Sequence, residues 1–248
     1  RSRGYSWRNA LTPEEMAPVF NMAKKLAPNA FVVVDNCYGE FTRPHEPAYY
    51  GADVMIGSLI KNIGSGIAPT GGYIAGSKKA LKRIEMRLTV PGMGREVGSY
   101  YGSYAPFFQG IFLSPHVTAQ ALKNAVLFAK VFESVGMISM PKSDAVRSDI
   151  VQSLRFNTAD ALISFCRSIQ KAAPVDSFVQ PEPWDMPGYT SQVIMAAGAF
   201  VQGSSIELSA PIVEPYTAYV QGGLTHAHGR IGVMLALDDL IKNGEVSI

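Results

Sequence analysis

A continuous aliphatic run that ends in a carboxylate is the feature that most constrains the fold of this chain. Residues 30–35 have the sequence Ala-Phe-Val-Val-Val-Asp, which is typical of a strand buried on both faces of a parallel sheet. Further strands are predicted at residues 53–57 and 72–76, and helices at residues 12–26 and 77–87. This alternation of strands and helices predicts an α/β fold.

The second half of the chain has a different order of elements. The predicted elements there are helices at residues 115–134, 158–172 and 229–242, and strands at residues 150–156, 189–202, 205–209 and 218–221. Two of these strands would form a pair around Gly203. We therefore predict two domains, residues 1–135 and residues 136–248, of which the second is a smaller α+β domain.

Composition and charge argue against several classes of protein. The 248 residues carry 22 Lys and Arg against 20 Asp and Glu, whereas nucleic-acid-binding proteins usually carry a strong basic surface. The longest apolar run, residues 193–201, is far shorter than the roughly 18 residues of a membrane-spanning helix. Cys37 and Cys166 are too few for a disulfide framework. We therefore expect a cytoplasmic protein without a nucleic-acid or membrane partner.

Polar residues follow two of the predicted strands at the point where each strand ends. Asp35 closes the first aliphatic run, and Lys61 follows the second. Ligands of open α/β sheets bind beyond the carboxyl ends of strands, and a partly desolvated lysine is a good nucleophile. Ser58 and the nearby glycine amides could hold an anionic group. The spacing favours one pocket that contains both Asp35 and Lys61.

Each of these residues also has a simpler interpretation. Asp35 alone could be a turn residue, and Lys61 alone could be a surface lysine beside a flexible loop. The pair His226 and His228 has no carboxylate or cysteine at ligand spacing nearby, so we expect no metal site. The combination of Asp35 with Lys61 is therefore the more informative signal.

Four segments carry a resemblance to a known family. They are residues 34–38 (Val-Asp-Asn-Cys-Tyr), 58–61 (Ser-Leu-Ile-Lys), 64–72 (Gly-Ser-Gly-Ile-Ala-Pro-Thr-Gly-Gly) and 219–224 (Tyr-Val-Gln-Gly-Gly-Leu). On these segments the chain resembles the pyridoxal-phosphate enzymes of fold type I. Within them it is most similar to the methionine gamma-lyase-like group, also called aluminium-resistance proteins. The resemblance implies part of a mainly parallel, cofactor-binding domain followed by a smaller α+β domain.

The resemblance implies roles for individual residues. Lys61 corresponds to the catalytic lysine that binds pyridoxal 5'-phosphate covalently, and Asp35 to the carboxylate beneath its pyridine nitrogen. Tyr38 corresponds to a tyrosine that bonds the ring hydroxyl in some relatives, and Ser58 to a hydroxyl that binds the phosphate. Relatives often have a second hydroxyl at the position of Ile60, so phosphate binding here would need other donors.

Two arginines of the second domain, Arg155 and Arg230, are candidates to bind the carboxylate of an amino-acid substrate, since a guanidinium group can bind a carboxylate with two hydrogen bonds. An exposed helix arginine is the simpler interpretation of either one.

The implied activity is that of a pyridoxal-phosphate-dependent carbon–sulfur lyase acting on a sulfur-containing amino acid, like methionine gamma-lyase or cystathionine beta-lyase. A pyridoxal-phosphate-dependent aminotransferase and a non-catalytic scaffold fragment are the alternatives. The resemblance also implies a homodimer or homotetramer, and the aromatic residues between positions 100 and 108 would suit either an interface or a core. Members of the family are longer at the N-terminus, so we expect a C-terminal portion.

Overall fold

The strands form two separate sheets. The computed structural model describes residues 1–98, 100–196, 199–201 and 207–247. In the first half of the chain, β1 (Val33–Asp35), β2 (Val54–Ser58) and β3 (Gly72–Gly76) form a three-stranded sheet in that order. Two helices, α1 (Pro13–Leu26) and α2 (Lys78–Glu85), lie in the same half.

Helix α1 begins where its sequence predicts. The Thr12 hydroxyl accepts a hydrogen bond from the Glu15 N–H at 3.2 Å, and the Glu15 carboxylate accepts one from the Thr12 N–H at 2.8 Å. This reciprocal capping satisfies two of the N–H groups that a helix start leaves without partners. The helix continues through Pro18 to Leu26, although proline cannot donate a backbone hydrogen bond.

The first sheet is mixed, and the prediction of a mainly parallel sheet is not confirmed. Strands β1 and β2 are parallel, with Asp35 opposite Ile56, whereas β2 and β3 are antiparallel. The segment between β2 and β3 contains only a short 3₁₀ turn, Asn62–Gly64, and a parallel return would need a crossover, usually a longer helix. The α/β class is correct, but β3 pairs antiparallel with β2.

The second sheet is entirely antiparallel. It contains β4 (Ile138–Met140), β5 (Val151–Arg155), β6 (Val193–Ala196), β7 (Glu207–Pro211) and β8 (Thr217–Gln221), in the order β4-β5-β8-β7-β6. Side chains alternate between the two faces of a strand. One face of this sheet is apolar and packs on helices α3 (Ala105–Ser134), α4 (Ala159–Lys171) and α5 (His226–Lys242).

Three phenylalanines form the centre of that core. Phe165 of α4 packs edge-to-face on Phe128 and Phe132 of α3, with ring centroids 6.2 and 5.6 Å apart. All three side chains are fully buried. Such aromatic contacts add to the free energy gained by removing the rings from water.

Helix α3 starts ten residues before the predicted start, within a stretch whose glycines and aromatics predict a loop. Gly110 explains the difference: a Cβ there would lie 2.4 Å from the Gly64 carbonyl oxygen. The Gly110 carbonyl also accepts a hydrogen bond from the Ser65 hydroxyl at 2.7 Å. The close packing outweighs the low helix propensity of glycine. Among the described residues, no helix combines the length and apolar character needed to cross a membrane.

Other predicted boundaries differ from the structure by a few residues. Strand β6 is shorter than predicted, and Gly203, between the two predicted strands, lies outside the described residues. The short strand β4 was not predicted. The domain boundary at residue 135 stays a prediction, because α3 contacts both halves: the Ser114 hydroxyl donates to the Asn62 carbonyl at 2.9 Å.

We expect a Phe165→Ala substitution to lower the free energy of unfolding by about 3–5 kcal/mol, because it leaves a cavity between Phe128 and Phe132. Urea unfolding followed by circular dichroism measures this loss. Phe178, which is 84% exposed, provides the control, and Phe178→Ala should change stability by less than about 0.5 kcal/mol. Equal losses in the two variants would contradict the assignment of this core.

Candidate functional site

The parallel pairing of β1 with β2 brings Asp35 and Lys61 to one edge of the first sheet. Asp35 is the last residue of β1, Ser58 is the last residue of β2, and Lys61 follows three residues later. The hydrogen bonding between the two strands continues one residue past the end of β1, because the Asn36 N–H donates to the Ile56 carbonyl at 2.8 Å. The carboxyl ends of parallel strands lie at the same edge, which is where α/β sheets bind ligands.

Cys37 lies in the turn between Asp35 and Tyr38 and is partly buried. Partial burial and then a hydrogen bond to Asp35 raise the pKa of the Cys37 thiol to about 11, while the positive charge of Lys61 opposes the shift. Asp35 also accepts a hydrogen bond from the Cys37 backbone N–H at 3.0 Å. Asp35 and Cys37 are thus joined by a hydrogen bond within the turn that follows β1.

Tyr38 lies beside the Lys61 amine. The Lys61 Nζ atom is 4.9 Å from the centroid of the Tyr38 ring, a distance at which a cation is attracted to an aromatic face. Burial and the neighbouring Tyr5 raise the pKa of the Tyr38 hydroxyl, which shares a hydrogen bond with Tyr5. The structure therefore places Tyr38 next to Lys61, with its hydroxyl directed to Tyr5.

The turn after Lys61 is held by close backbone packing. A Cβ on Gly64 would lie 1.6 Å from the Leu59 carbonyl oxygen, so only glycine fits there. The Asn62 side-chain amide donates to the Glu40 carbonyl at 2.8 Å. The Ser58 hydroxyl accepts a long hydrogen bond, 3.4 Å, from the Ile60 N–H. Lys61 therefore projects from a rigid turn, and the Ser58 hydroxyl lies within that turn.

Glu40 is a buried carboxyl group that the sequence analysis missed. Its side chain is almost fully buried and accepts a hydrogen bond from the Tyr73 hydroxyl at 2.9 Å. Burial, reinforced by the nearby Glu46, raises the pKa of Glu40 to about 7, although Tyr73 and Arg1 oppose the shift. A Cβ at position 57 would lie 2.6 Å from a Glu40 oxygen. The glycine that ends the strand predicted at residues 53–57 was the available signal of this close approach.

The two candidate arginines have different surroundings. The Arg155 guanidinium carbon lies 3.9 Å from the centroid of the Trp7 ring, and the charge of Arg155 acts on the hydroxyl of Tyr219. Tyr219 packs edge-to-face on Tyr5, with centroids 5.7 Å apart. Arg155 is thus stacked on Trp7 and lies near the aromatic pair of Tyr219 and Tyr5. Arg230 lies on the exposed side of α5, and no contact among the described residues joins it to this group.

Comparison with known proteins gives consistent matches. The profile of the methionine gamma-lyase family matches residues 1–241. YnbB, an uncharacterised protein of Bacillus subtilis (strain 168), is 48% identical over 244 residues, which are 98% of this chain and 58% of YnbB. The crystal structure of a carbon–sulfur lyase involved in aluminium resistance, from Clostridium novyi NT, is 53% identical with a TM-score of 0.88 and covers 95% of this chain.

A more distantly related protein has a similar fold. The pyridoxal-5'-phosphate-dependent protein YhfS of Escherichia coli is 13% identical, with a TM-score of 0.54 over 92% of this chain. At this identity the match shows a shared fold alone. The chain spans a little over half of its relatives, 58% of YnbB and 56% of the Clostridium novyi chain. Since the family profile covers nearly all of its residues, the chain belongs to the methionine gamma-lyase family.

Proposed function

We propose that the chain carries the lysine and carboxylate of a pyridoxal 5'-phosphate site in a carbon–sulfur lyase that acts on a sulfur-containing amino acid. The observation that carries this proposal is that Asp35 ends β1 and Lys61 follows the end of the parallel strand β2, with its Nζ 4.9 Å from the Tyr38 ring centroid. Because the chain spans little more than half of its relatives, the activity is proposed for the whole protein.

The residues present fit this cofactor. An amine for its aldehyde, a carboxylate for its pyridine nitrogen and a serine hydroxyl beside a glycine-rich turn lie at one sheet edge, at Lys61, Asp35 and Ser58. When bound, pyridoxal phosphate supplies an electron sink for breaking bonds next to the substrate's α-carbon. Asp35 would hold the proton on the pyridine nitrogen, because an adjacent negative charge favours the protonated ring.

Lys61 would perform the proton transfers. Its amine, when neutral, could take the proton from the α-carbon of the substrate and return a proton later. The Tyr38 ring, 4.9 Å from Nζ, limits the directions that the amine can take. The Arg155 guanidinium group would bind the substrate carboxylate, which keeps the reacting carbon in place for the lysine.

The similarity to the carbon–sulfur lyase of Clostridium novyi supports elimination over amino transfer. The two reactions share the cofactor and the lysine, so their products distinguish them. Release of a thiol, ammonia and a 2-oxo acid, without a second amino acid as product, is the result expected for the lyase.

We expect the protein incubated with pyridoxal phosphate to be yellow, and borohydride reduction to attach the cofactor covalently to Lys61. Peptide mass spectrometry identifies the modified residue. A Lys61→Ala variant should lose the modification and about 10²–10⁴-fold in turnover, the usual contribution of a general acid–base group. Lys130, which is exposed on α3, provides the control, because Lys130→Ala should keep both properties. Modification at a different lysine would refute the proposed site.

A second prediction concerns Glu40. Its pKa is raised to about 7 from 4.5, so the folded chain holds this proton more tightly than the unfolded chain. The resulting stabilisation is complete below about pH 4.5 and is lost as the pH rises through about 7. Between pH 5 and pH 8, wild type should therefore lose about 2–3 kcal/mol of unfolding free energy relative to Glu40→Gln, which cannot ionise.

Urea unfolding of both proteins at several pH values measures this difference. Glu182→Gln, at an exposed residue, controls for the removal of one charge. If the stabilities of wild type and Glu40→Gln change in parallel with pH, Glu40 does not hold a proton in the fold.

A further inference from the structure

Glu40 contacts both ends of the segment that carries Ser58 and Lys61. Its carboxyl group lies against the backbone of Gly57, the residue before Ser58, where a Cβ would be 2.6 Å from Glu40 Oε1. Its backbone carbonyl accepts a hydrogen bond at 2.8 Å from the side-chain amide of Asn62, the residue after Lys61. Glu40 and Asn62 are both buried. We refer to these two contacts of Glu40 as the Glu40 clamp.

The loop that carries Glu40 has an unusual backbone. Tyr38 and Phe41 have φ angles of +66° and +59°, although neither is glycine. Such conformations are unfavourable for residues with a side chain, so other contacts must hold the loop in place. One of them is the hydrogen bond that the Phe41 N–H donates to the Glu46 carboxylate at 2.8 Å. Since the Tyr38 ring lies 4.9 Å from Lys61 Nζ, this loop forms one side of the candidate site.

Two oxygens of the residues in the clamp have no hydrogen-bond partner in the described part of the chain. They are Glu40 Oε2 and Asn62 Oδ1, and both are buried. The other carboxyl oxygen of Glu40 accepts a hydrogen bond from the Tyr73 hydroxyl at 2.9 Å. Acceptors without a donor are costly to bury, and a proton on Glu40 would turn one of the two into a donor. A protonated Glu40 therefore suits these surroundings better than a carboxylate.

The groups around Glu40 place its ionisation near neutral pH. Burial raises the pKa of Glu40 to about 7, and the charge of Glu46 adds to this effect. The hydrogen bonds from its own backbone N–H and from Tyr73, and the positive charge of Arg1, oppose it. Burial also raises the pKa of the Tyr73 hydroxyl and of the Cys37 thiol. Glu40 thus changes charge near neutral pH, while Tyr73 and Cys37 stay uncharged.

We propose that Glu40 is a positioning residue for Lys61: in its protonated form it holds both ends of residues 58–61 and keeps the lysine amine beside the Tyr38 ring. The proposal rests on the proposed function and adds to it a pH-dependent control of the lysine. When Glu40 loses its proton, a buried negative charge lies near Glu46, which already forms an ion pair with Arg1 at 2.6 Å. The clamp then loosens, and the amine takes up more directions.

Pulse labelling of the chain without cofactor tests this proposal. A small amount of acetic anhydride acetylates Lys61, which is partly exposed, and Lys130, which is exposed on α3 and serves as the internal reference. Peptide mass spectrometry gives the ratio of the two labelling rates. In Glu40→Leu at pH 5 this ratio should be about fivefold higher than in wild type, the equilibrium change that corresponds to one lost hydrogen bond. The reason is that the reagent reaches a loosely held amine more often.

Glu40→Gln separates positioning from a merely structural role. Glutamine is uncharged at every pH, keeps an oxygen for the Tyr73 hydroxyl and has a donor in place of the carboxyl proton. Between pH 5 and pH 8 the wild-type ratio should rise about fivefold, with its midpoint near the Glu40 pKa of about 7. The ratio in Glu40→Gln should stay at the low-pH value of wild type. A contact that stabilises the fold without positioning the lysine would leave both ratios flat, and that result would overturn the proposal.

Three further variants complete the test. Tyr73→Phe removes the hydroxyl that donates to Glu40 and should raise the ratio partially, which tests the clamp even if Glu40→Leu fails to fold. Glu96→Gln and Glu96→Leu, at an exposed carboxylate, should keep the wild-type ratio at each pH. If the Glu96 variants change the ratio as much as the Glu40 variants do, the effect comes from net charge and Glu40 has no special role.

The labelling result is separate from the proposed function, because no cofactor is present. A ratio that depends on Glu40, together with borohydride-stable attachment of pyridoxal phosphate to Lys61, would support both proposals. The same ratio without attachment of the cofactor would support the positioning of Lys61 and refute the proposed function. Attachment at Lys61 with a ratio that is independent of Glu40 would refute the positioning role alone.

Discussion

The parallel pairing of β1 with β2 is the constraint on which the candidate site depends. It places Asp35 opposite Ile56, so that the two strands end within a few residues of each other at one edge. A slip of one residue in this register would turn the side chain of Asp35 to the opposite face of the sheet. Both ends of the pairing are reinforced, because the Val32 N–H donates to the Asp53 carboxylate at 2.7 Å and the Asn36 N–H to the Ile56 carbonyl.

Much of this arrangement could be predicted from local sequence patterns. Aliphatic runs located β1 and β2, and the capping residues of α1 located its start. The proximity of Asp35 and Lys61 followed from a general property of α/β sheets, that strand ends line the ligand site. The predictions of β1, β2 and the start of α1 are confirmed because each depends on a few neighbouring residues, whereas the shared site of Asp35 and Lys61 stays a prediction.

The remaining features depend on contacts between distant parts of the chain. The antiparallel direction of β3 depends on its pairing with β2, and the early start of α3 on the contact between Gly110 and Gly64. Glu40 gave little sign of burial, since a charged residue after a strand usually lies in solvent. The hydrogen bond between Tyr5 and Tyr38 joins residues of two different segments, and no sequence pattern indicates such a pair.

Helix α3 mechanically links the two sheets. Its 30 residues extend about 45 Å, with Ser114 bonded to the turn that follows Lys61 and Phe128 in the core of the second sheet. Pro115, directly after Ser114, cannot donate the backbone hydrogen bond that would stiffen this point. The backbone hydrogen bond that Pro115 cannot make therefore falls in the part of this helix that packs against the turn following Lys61.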